Sequence, residues 1–574
     1  MSISPAPSFL SRVSCPLWWA AAALLCLAME FCAQGHVDVF AGAKLLTGAI
    51  VLFGLVIALT PQTSSDDRIK LWPYALTLAV FWGLMIWEFR SAIINGERYF
   101  FLQDDMMISM RYARNLVDGL GWVWNPGERL EGFTNPLWTL IMSAVHWLPL
   151  PDRLTSLPVM ILSAAAVVIS MPLSQRWARE LGANATTQHL VLLAMIVNAG
   201  VIACGVLAFE QGVIAMFLLF AVLALLDDIK TGAVRPWGYL CLGVIPLIRM
   251  DAAILSVATG LWVLYEHPKR FKVIFSLALA VIPSIAAMLA RHAYYGDWLP
   301  NTYYLKTTGW SGRWKTGVHY AIDFLRSFGW VYLLIVLTVL RDRRLLTPAL
   351  RATVLISGAQ LAYGAYVGGD ILGIFRIYAT VIPLLIASGL TSIQILFKQK
   401  YLVAAISAVA IVLWARPLGV LGGLMDGQRR DIGNIGLGLA LNQHAPHASV
   451  ADGYAGSVFY FAPQTRGIDV LGKMDAHIAR MPAAHGGTVP GHNKFDYDYS
   501  IGQLHPEYVI AVFEGSGPTE DQLKHTQGNW VYPYYLWNNA AFRQHCLPNP
   551  MPWKTWRLVY RCDWNSPPDN DKSS

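Results

Sequence analysis

Two adjacent carboxylates, Asp104 and Asp105, head the run Asp104-Asp-Met-Met-Ile-Ser-Met-Arg-Tyr-Ala-Arg-Asn-Leu-Val-Asp-Gly-Leu-Gly121, shortly after an apolar stretch that ends near residue 89. Like charges side by side raise each other's proton affinity, and a carboxylate at the dry edge of a bilayer can take a proton from a hydroxyl. The pair is therefore a candidate general base. At the start of a helix the same two residues also complement the helix dipole, so this run alone leaves an acidic first turn and a catalytic base equally open. Ile108, Tyr112, Leu116 and Leu120 recur at helical spacing and predict an amphipathic helix lying on a membrane surface. No GxxxxGK[ST] loop, CxxC or HExxH motif is present, which leaves ATP-driven transport without support. An acidic pair admits a divalent metal ion as well as metal-free chemistry, so no cofactor follows from it.

The elements that must position this pair are membrane helices. Hydrophobic residues make up 55% of the 574 residues and charged residues 14%, and the mean hydropathy is +0.43, beyond what a soluble domain tolerates. Apolar runs near 17–33, 39–60, 72–89, 156–172, 188–204, 211–227, 236–249, 252–265, 272–290, 328–341, 350–366, 376–396 and 401–420 give about 11–13 transmembrane helices, several shorter than the roughly 20 residues a bilayer needs. Around Arg249 and Asp251 the chain reads as a broken hairpin or a kinked helix. Residues 136–150 are short and end in Pro-Leu-Pro-containing sequence, which suits an interfacial or re-entrant helix. The net charge of +7 is spread over short basic clusters between apolar runs, among them Arg176/Arg179, Lys230/Arg235, Lys269/Arg270/Lys272, Arg341/Arg343/Arg344 and Lys398/Lys400. Such clusters mark cytoplasmic loops, and no basic stripe points to nucleic acid. The loops on the other face, and everything after 420, then lie outside. The N-terminal apolar run reads as an uncleaved helix, because two further spans follow it.

This gives N-terminal helices over 1–95, an outer loop with the amphipathic helix over 96–155, and a transmembrane core over 156–420 with outer loops 291–327 and 367–375. An α/β domain over 421–566 and a disordered tail over 567–574 complete the chain. In the C-terminal region, 448–452 and 508–513 read as short buried strands. Cys15, Cys26, Cys32, Cys204 and Cys241 fall in or beside apolar spans and read as packing residues. Cys546 and Cys562 stand together in an oxidising compartment, which favours a disulfide.

The stretch after the helix, Gly121-Trp-Val-Trp-Asn-Pro-Gly-Glu-Arg-Leu-Glu-Gly-Phe-Thr-Asn-Pro-Leu-Trp138, is too rich in Gly, Pro and Asn for helix and forms an ordered polar loop. The whole run DDMMISMRYARNLVDGLGWVWNPGERLEGFTNPLW closely resembles the signature of GT-C membrane glycosyltransferases related to the mycobacterial terminal arabinofuranosyltransferases that use a polyprenyl-phosphate arabinofuranose donor. Weaker likeness continues through Phe209-Glu-Gln-Gly212, Ile248-Arg-Met-Asp-Ala252, Pro300-Asn-Thr-Tyr-Tyr-Leu-Lys306, Gly368-Gly-Asp-Ile-Leu-Gly-Ile-Phe-Arg376, Val450-Ala-Asp-Gly453 and Gly491-His-Asn-Lys494. Met250 replaces the usual Pro, and Phe209-Glu-Gln replaces Gly-Leu-Glu. The resemblance implies a GT-C-like, mainly α, polytopic fold with a C-terminal extracytoplasmic α/β domain in the bacterial inner membrane. It also implies transfer of a sugar, arabinofuranose by likeness, from a polyprenyl-phosphate donor to an envelope glycan or an exported protein such as a pilin.

On that reading Asp104 or Asp105, with a lean to Asp104, deprotonates the acceptor. Lys306, Arg376, Arg249 and Arg291 are the candidates for the donor phosphate, each against the alternative of a snorkelling anchor. Glu210, Asp370, Tyr303, Tyr304, Glu131, Asn135, His492 and Lys494 are candidates for sugar or acceptor contact. Of the loop aromatics Trp122, Trp124, Trp138, Trp310 and Trp314, most should form an interfacial belt. A flippase of a lipid-linked sugar, or a ligase of a lipid-linked glycan, is the alternative from another class.

Overall fold

The structure is a computed structural model that describes residues 71–372, 374–415, 417–484, 489–511, 532–549 and 557–565. The first two apolar runs, Cys15, Cys26, Cys32 and the tail after 565 lie outside the described residues. The helix Arg270–Tyr295 shows most directly why the protein belongs in a bilayer. Twenty-six residues long, it extends about 39 Å, and its perimeter is apolar and unburied, with Phe271 90% exposed and Phe275, Leu279, Ile282, Ile285 and Leu289 also exposed. Water would expel such a surface, whereas lipid matches it. Ser156–Glu180, Gln211–Thr231 and Arg313–Arg341 are likewise long and apolar enough to cross a membrane. The protein is a multi-pass membrane protein.

The run at 188–204 is two helices, Ala185–Val197 and Ala199–Val206, bent by 55°. Asn198 supplies the break, since its side chain accepts from Val201 N at 3.1 Å and caps the second piece. Around Arg249 the chain is a broken hairpin: Pro236–Ile248 and Ala253–Glu266 are joined through a 3-10 turn at Met250–Ala252. Ion pairs Arg176–Asp227 and Lys230–Glu180, and the buried-edge pair Arg351–Glu266, gather the basic connections at one end of the bundle. The site and the C-terminal domain occupy the other end.

At that end the chain leaves helix Trp72–Phe89 through a hairpin, β1 (Ser91–Ile94) and β2 (Glu97–Phe100). Asn95 and Gly96 both take positive φ in its turn, at 51° and 82°, the pattern an Asn-Gly turn favours. Phe100 N then donates to Arg153 O at 2.8 Å, which fixes the entry to the helix Asp104–Val117. This helix is buried on nearly every side rather than lying on a membrane surface. Met106, Met107 and Met110 join the membrane core, while Ile108 and Tyr112 pack into the domain. The expected surface helix is thus a layer between two bodies, because the domain covers the face that would otherwise meet solvent. Helix Pro136–His146 packs beside it and, at about 16 Å, is too short to cross.

The C-terminal domain follows helix Pro417–His444. Its sheet has the order β4 (Arg466–Asp469), β3 (Ser449–Asp452), β5 (Tyr508–Ala511), β7 (Leu558–Cys562), β6 (Cys546–Pro548). β3 runs parallel to β4 and β5, and β7 antiparallel to β5 and β6. Cys546 and Cys562 are directly paired across β6 and β7 and are joined by a disulfide. Cys204 and Cys241 are buried free thiols.

Candidate active site

Two chambers meet where the bundle joins the domain. One, of about 210 Å³, has apolar walls that include Ile214, Leu255, Val367 and Ile377. The other, of about 90 Å³, is polar and holds Asp105, Ser109, Asn135, Lys473 and His492. They share a wall of Thr134, Arg249, Thr302, Lys306, Asp370 and Arg376. A ligand with an apolar tail and an anionic head would fit with its tail in the first chamber and its head on this wall.

Each cation on the wall is set by a different element. Arg249, at the broken hairpin, donates to Glu210 at 2.5 Å and to Asp251 at 2.6 Å, and Tyr363 holds the other Asp251 oxygen at 3.0 Å. Arg376 grips Asp370 with two nitrogens, Nε at 2.8 Å and Nη2 at 2.9 Å, which leaves Nη1 directed at Asp105 Oδ2 at 3.4 Å. The planar guanidinium fork makes this arrangement rigid. Lys306, on helix Asn301–Thr307, lines both chambers and has no hydrogen-bond or ion-pair partner among the described residues. Its burial and the nearby Arg249 and Arg376 lower its proton affinity below that of an ordinary lysine.

The two carboxylates of the pair have different surroundings. Successive helical residues are about 100° apart, so one side chain turns to the domain and the other to the chamber. Asp104 is 4% exposed, and its Oδ1 accepts from Ser457 N at 2.9 Å. A Cβ on Gly456 would lie 2.1 Å from Asp104 O, so this docking needs glycine. Asp105 lies in the first turn of the helix under the cap of Gln103, whose Oε1 accepts from Asp105 N at 2.8 Å. Its carboxylate lies in the polar chamber between Arg376 and Lys473, whose Nζ is 3.2 Å from Oδ1. Burial alone would raise the Asp105 carboxyl, but the cations Lys473, Arg376 and Lys306 together hold it well below the usual carboxylate range.

Lys473 comes from the domain. Asp469 shapes its loop by accepting from Leu471 N at 2.9 Å and Met474 N at 2.7 Å, and Gly472 takes a φ of +79°. Asn301 Nδ2 then donates to the carbonyls of Gly472, Lys473 and Asp475. Gly132 explains part of the ordered loop, since a Cβ there would lie 2.1 Å from Met474 Sδ and 3.1 Å from Lys473 O. His492 faces the same chamber. Burial and Lys473 push it down to about 3, so it is a neutral imidazole at pH 7. Among the described residues no group of three or more His, Cys, Asp or Glu could hold a metal ion.

Comparison with known proteins decides the fold. No family model matches the chain. It is 27% identical over 311 residues to a protein of Mycobacterium tuberculosis named terminal β-(1→2)-arabinofuranosyltransferase, covering 49% of this chain and 47% of that protein. A Corynebacterium glutamicum protein of the same name is 26% identical over 271 residues, 41% of this chain and 37% of its own length. The chain thus spans under half the length of the curated relatives it matches. The crystal structure of ArnT from Cupriavidus metallidurans bound to undecaprenyl phosphate superposes with a TM-score of 0.50 at 11% identity, covering 86% of this chain and 98% of that one. Its apo form gives 0.52 at 11% identity, over 85% and 96%. The chain has a GT-C membrane fold.

Within the GT-C fold the sequence candidates separate. Lys306, Arg376, Arg249, Asp370, Tyr303, Asn135, Asp105 and His492 all line one chamber or both. Glu210 lies behind Arg249 and orients it. Arg291 and Glu131 line neither chamber and form a buried ion pair with each other, which ties the ordered loop to helix Arg270–Tyr295. Arg291→Met should lower the unfolding midpoint in detergent, at a cost of about 3–5 kcal/mol, because Glu131 is left charged and buried. An unchanged midpoint would show that the pair is dispensable. Lys494 is fully buried and donates to Ala479 O at 2.7 Å and Tyr304 O at 3.1 Å. It fastens the Lys306 helix to the domain and lines neither chamber. Tyr304 points to Asp297 at 3.5 Å rather than into a chamber. Trp124, Trp138 and Trp310 are buried, while Trp314 is exposed. Trp124 donates to Ala455 O at 3.0 Å, a packing role that an interfacial-belt reading misses. Lys473 was not singled out by the sequence. Its signal was a Gly-Lys turn directly after a buried strand ending in Asp469.

Proposed function

We propose that this chain is a membrane glycosyltransferase that moves a sugar from a polyprenyl-phosphate donor onto a hydroxyl of an envelope glycan or an exported protein, on the outer face of the cytoplasmic membrane. The observation that carries this reading is the shared wall. Lys306, Arg249 and Arg376 stand between an apolar chamber suited to a prenyl chain and a polar chamber containing the carboxylate of Asp105. The basic loops at the opposite end of the bundle support a cytoplasmic location for that end. Arabinofuranose is the sugar favoured, on likeness to proteins named for transferring it.

The chemistry follows from charge. The bond between the anomeric carbon and the phosphate oxygen breaks with its electrons passing to the phosphate, which gains negative charge as it leaves. Lys306 and Arg376 stabilise that charge, Lys306 without giving up an existing partner. The acceptor oxygen bonds to the anomeric carbon, and its proton passes to Asp105. Asp104 holds the helix to the domain.

Mass spectrometry of surface glycans and exported proteins from cells lacking this protein tests the reading. Loss of a pentose from one class of molecule is expected. An unchanged surface, or accumulation of untransported lipid-linked sugar on the inner face, would overturn it, the latter in favour of a flippase.

A further inference from the structure

Asp105, in the polar chamber, has a different cation on each oxygen, Lys473 at Oδ1 and Arg376 at Oδ2. A base so placed is stabilised in its ionised form and is a poor proton acceptor. Arg376 nevertheless keeps two nitrogens on Asp370 and extends only Nη1 to Asp105, over 3.4 Å, and its side chain also forms part of the wall between the chambers. Lys473 is a single point charge on a flexible stem and lines the polar chamber.

We propose that Lys473 and Arg376 Nη1 are shared cations, which occupy Asp105 while the site is empty and turn to the donor phosphate when it binds, so that the phosphate itself releases the base. Lys473 is a positioning residue in this scheme, and the scheme rests on the reading of Asp105 as base. The charged and titratable groups around Asp105 are Asp104 on its own helix, Arg376 and Asp370 from the 368–378 segment, Lys306 and Arg249 from the wall, and Lys473, Asp469 and His492 from the domain. Of these, only Lys473 and Arg376 bond the Asp105 carboxylate directly among the described residues, while Lys306 and Arg249 stand on the wall. The consequence is an order of events: donor first, proton removal second. An acceptor arriving at the empty site meets a carboxylate that will not take its proton.

Competition between phosphate and carboxylate makes a prediction that a structural role does not. Asp105→Asn should bind polyprenyl phosphate about 5-fold or more tightly than wild type, since the cations are no longer engaged, although transfer is lost. Lys473→Met should bind it several-fold more weakly, and Lys473→Arg should restore binding. In the Lys473→Met background the tightening caused by Asp105→Asn should shrink to less than half, the sign of direct coupling. Binding is measured with decaprenyl phosphate and the full chain in nanodiscs at fixed salt. Asp105→Asn that is inactive yet binds no more tightly, or two substitutions that act additively, would overturn the shared-cation scheme and leave the base assignment standing. Full transfer by Asp105→Asn would overturn the base assignment itself.

Discussion

Asp105→Asn should reduce sugar transfer by about 10²–10⁴-fold while the protein inserts and unfolds as wild type does. The substitution keeps shape and one acceptor oxygen, and the helix cap is untouched because Gln103 bonds the backbone N of residue 105. The capacity to take a proton is removed, together with the charge that engages Lys473 and Arg376. Asp104→Asn is the matched control. Its carboxamide oxygen can still accept from Ser457 N, so activity should stay within about tenfold of wild type, with a loss of about 1 kcal/mol from replacing a charged acceptor by a neutral one. Initial rates and unfolding midpoints of the two variants, measured together, check both expectations. Equal losses in activity would mean that the pair acts as a unit and that the division of labour between the two carboxylates is wrong.

Lys306→Met should raise the KM for a polyprenyl-phosphate sugar by about 10–100-fold, the worth of a charge-assisted contact of 1.5–3 kcal/mol. Stability should barely change, because Lys306 has no partner among the described residues for the substitution to break. The lysine's lowered proton affinity adds a pH signature. Deprotonation removes the charge at a lower pH than for an exposed lysine, so donor affinity should fall on the alkaline side earlier than solution lysine chemistry predicts. Lys306→Arg, which stays charged throughout, should remove that alkaline fall. A variant with unchanged KM and a melted fold would instead make Lys306 a packing residue.

Composition makes the membrane bundle readable, since long apolar runs can be satisfied only by helices in lipid. The end of the bundle that carries the site was readable too, because Asp104, Asp105, Lys306, Asp370 and Arg376 fall between apolar runs on one side of the basic loops. What the chain does with each residue was less legible. Two adjacent carboxylates look equivalent in sequence, yet a helix turns them about 100° apart, and which one faces the chamber depends on the domain that begins some 340 residues later. Arg291 looks like a phosphate ligand and Lys494 like a sugar or acceptor contact because both are cations in plausible segments, but long-range partners, Glu131 for one and two carbonyls for the other, hold them as fasteners. Lys473 was missed for the converse reason. Its local signal is no more than a Gly-Lys turn after a strand, and it reaches Asp105 because Asp469, Gly472 and Asn301 fold its loop toward the bundle.

The most direct measurement is stoichiometric. The purified chain is reconstituted in liposomes with a radiolabelled polyprenyl-phosphate arabinofuranose and an arabinan oligosaccharide, and both the labelled glycan and the freed polyprenyl phosphate are counted. One polyprenyl phosphate should be released for each sugar gained by the glycan, and neither product should form with Asp105→Asn. Labelled donor that crosses the bilayer intact, or transfer that persists at the wild-type rate in Asp105→Asn, would contradict a transferase with Asp105 as its base.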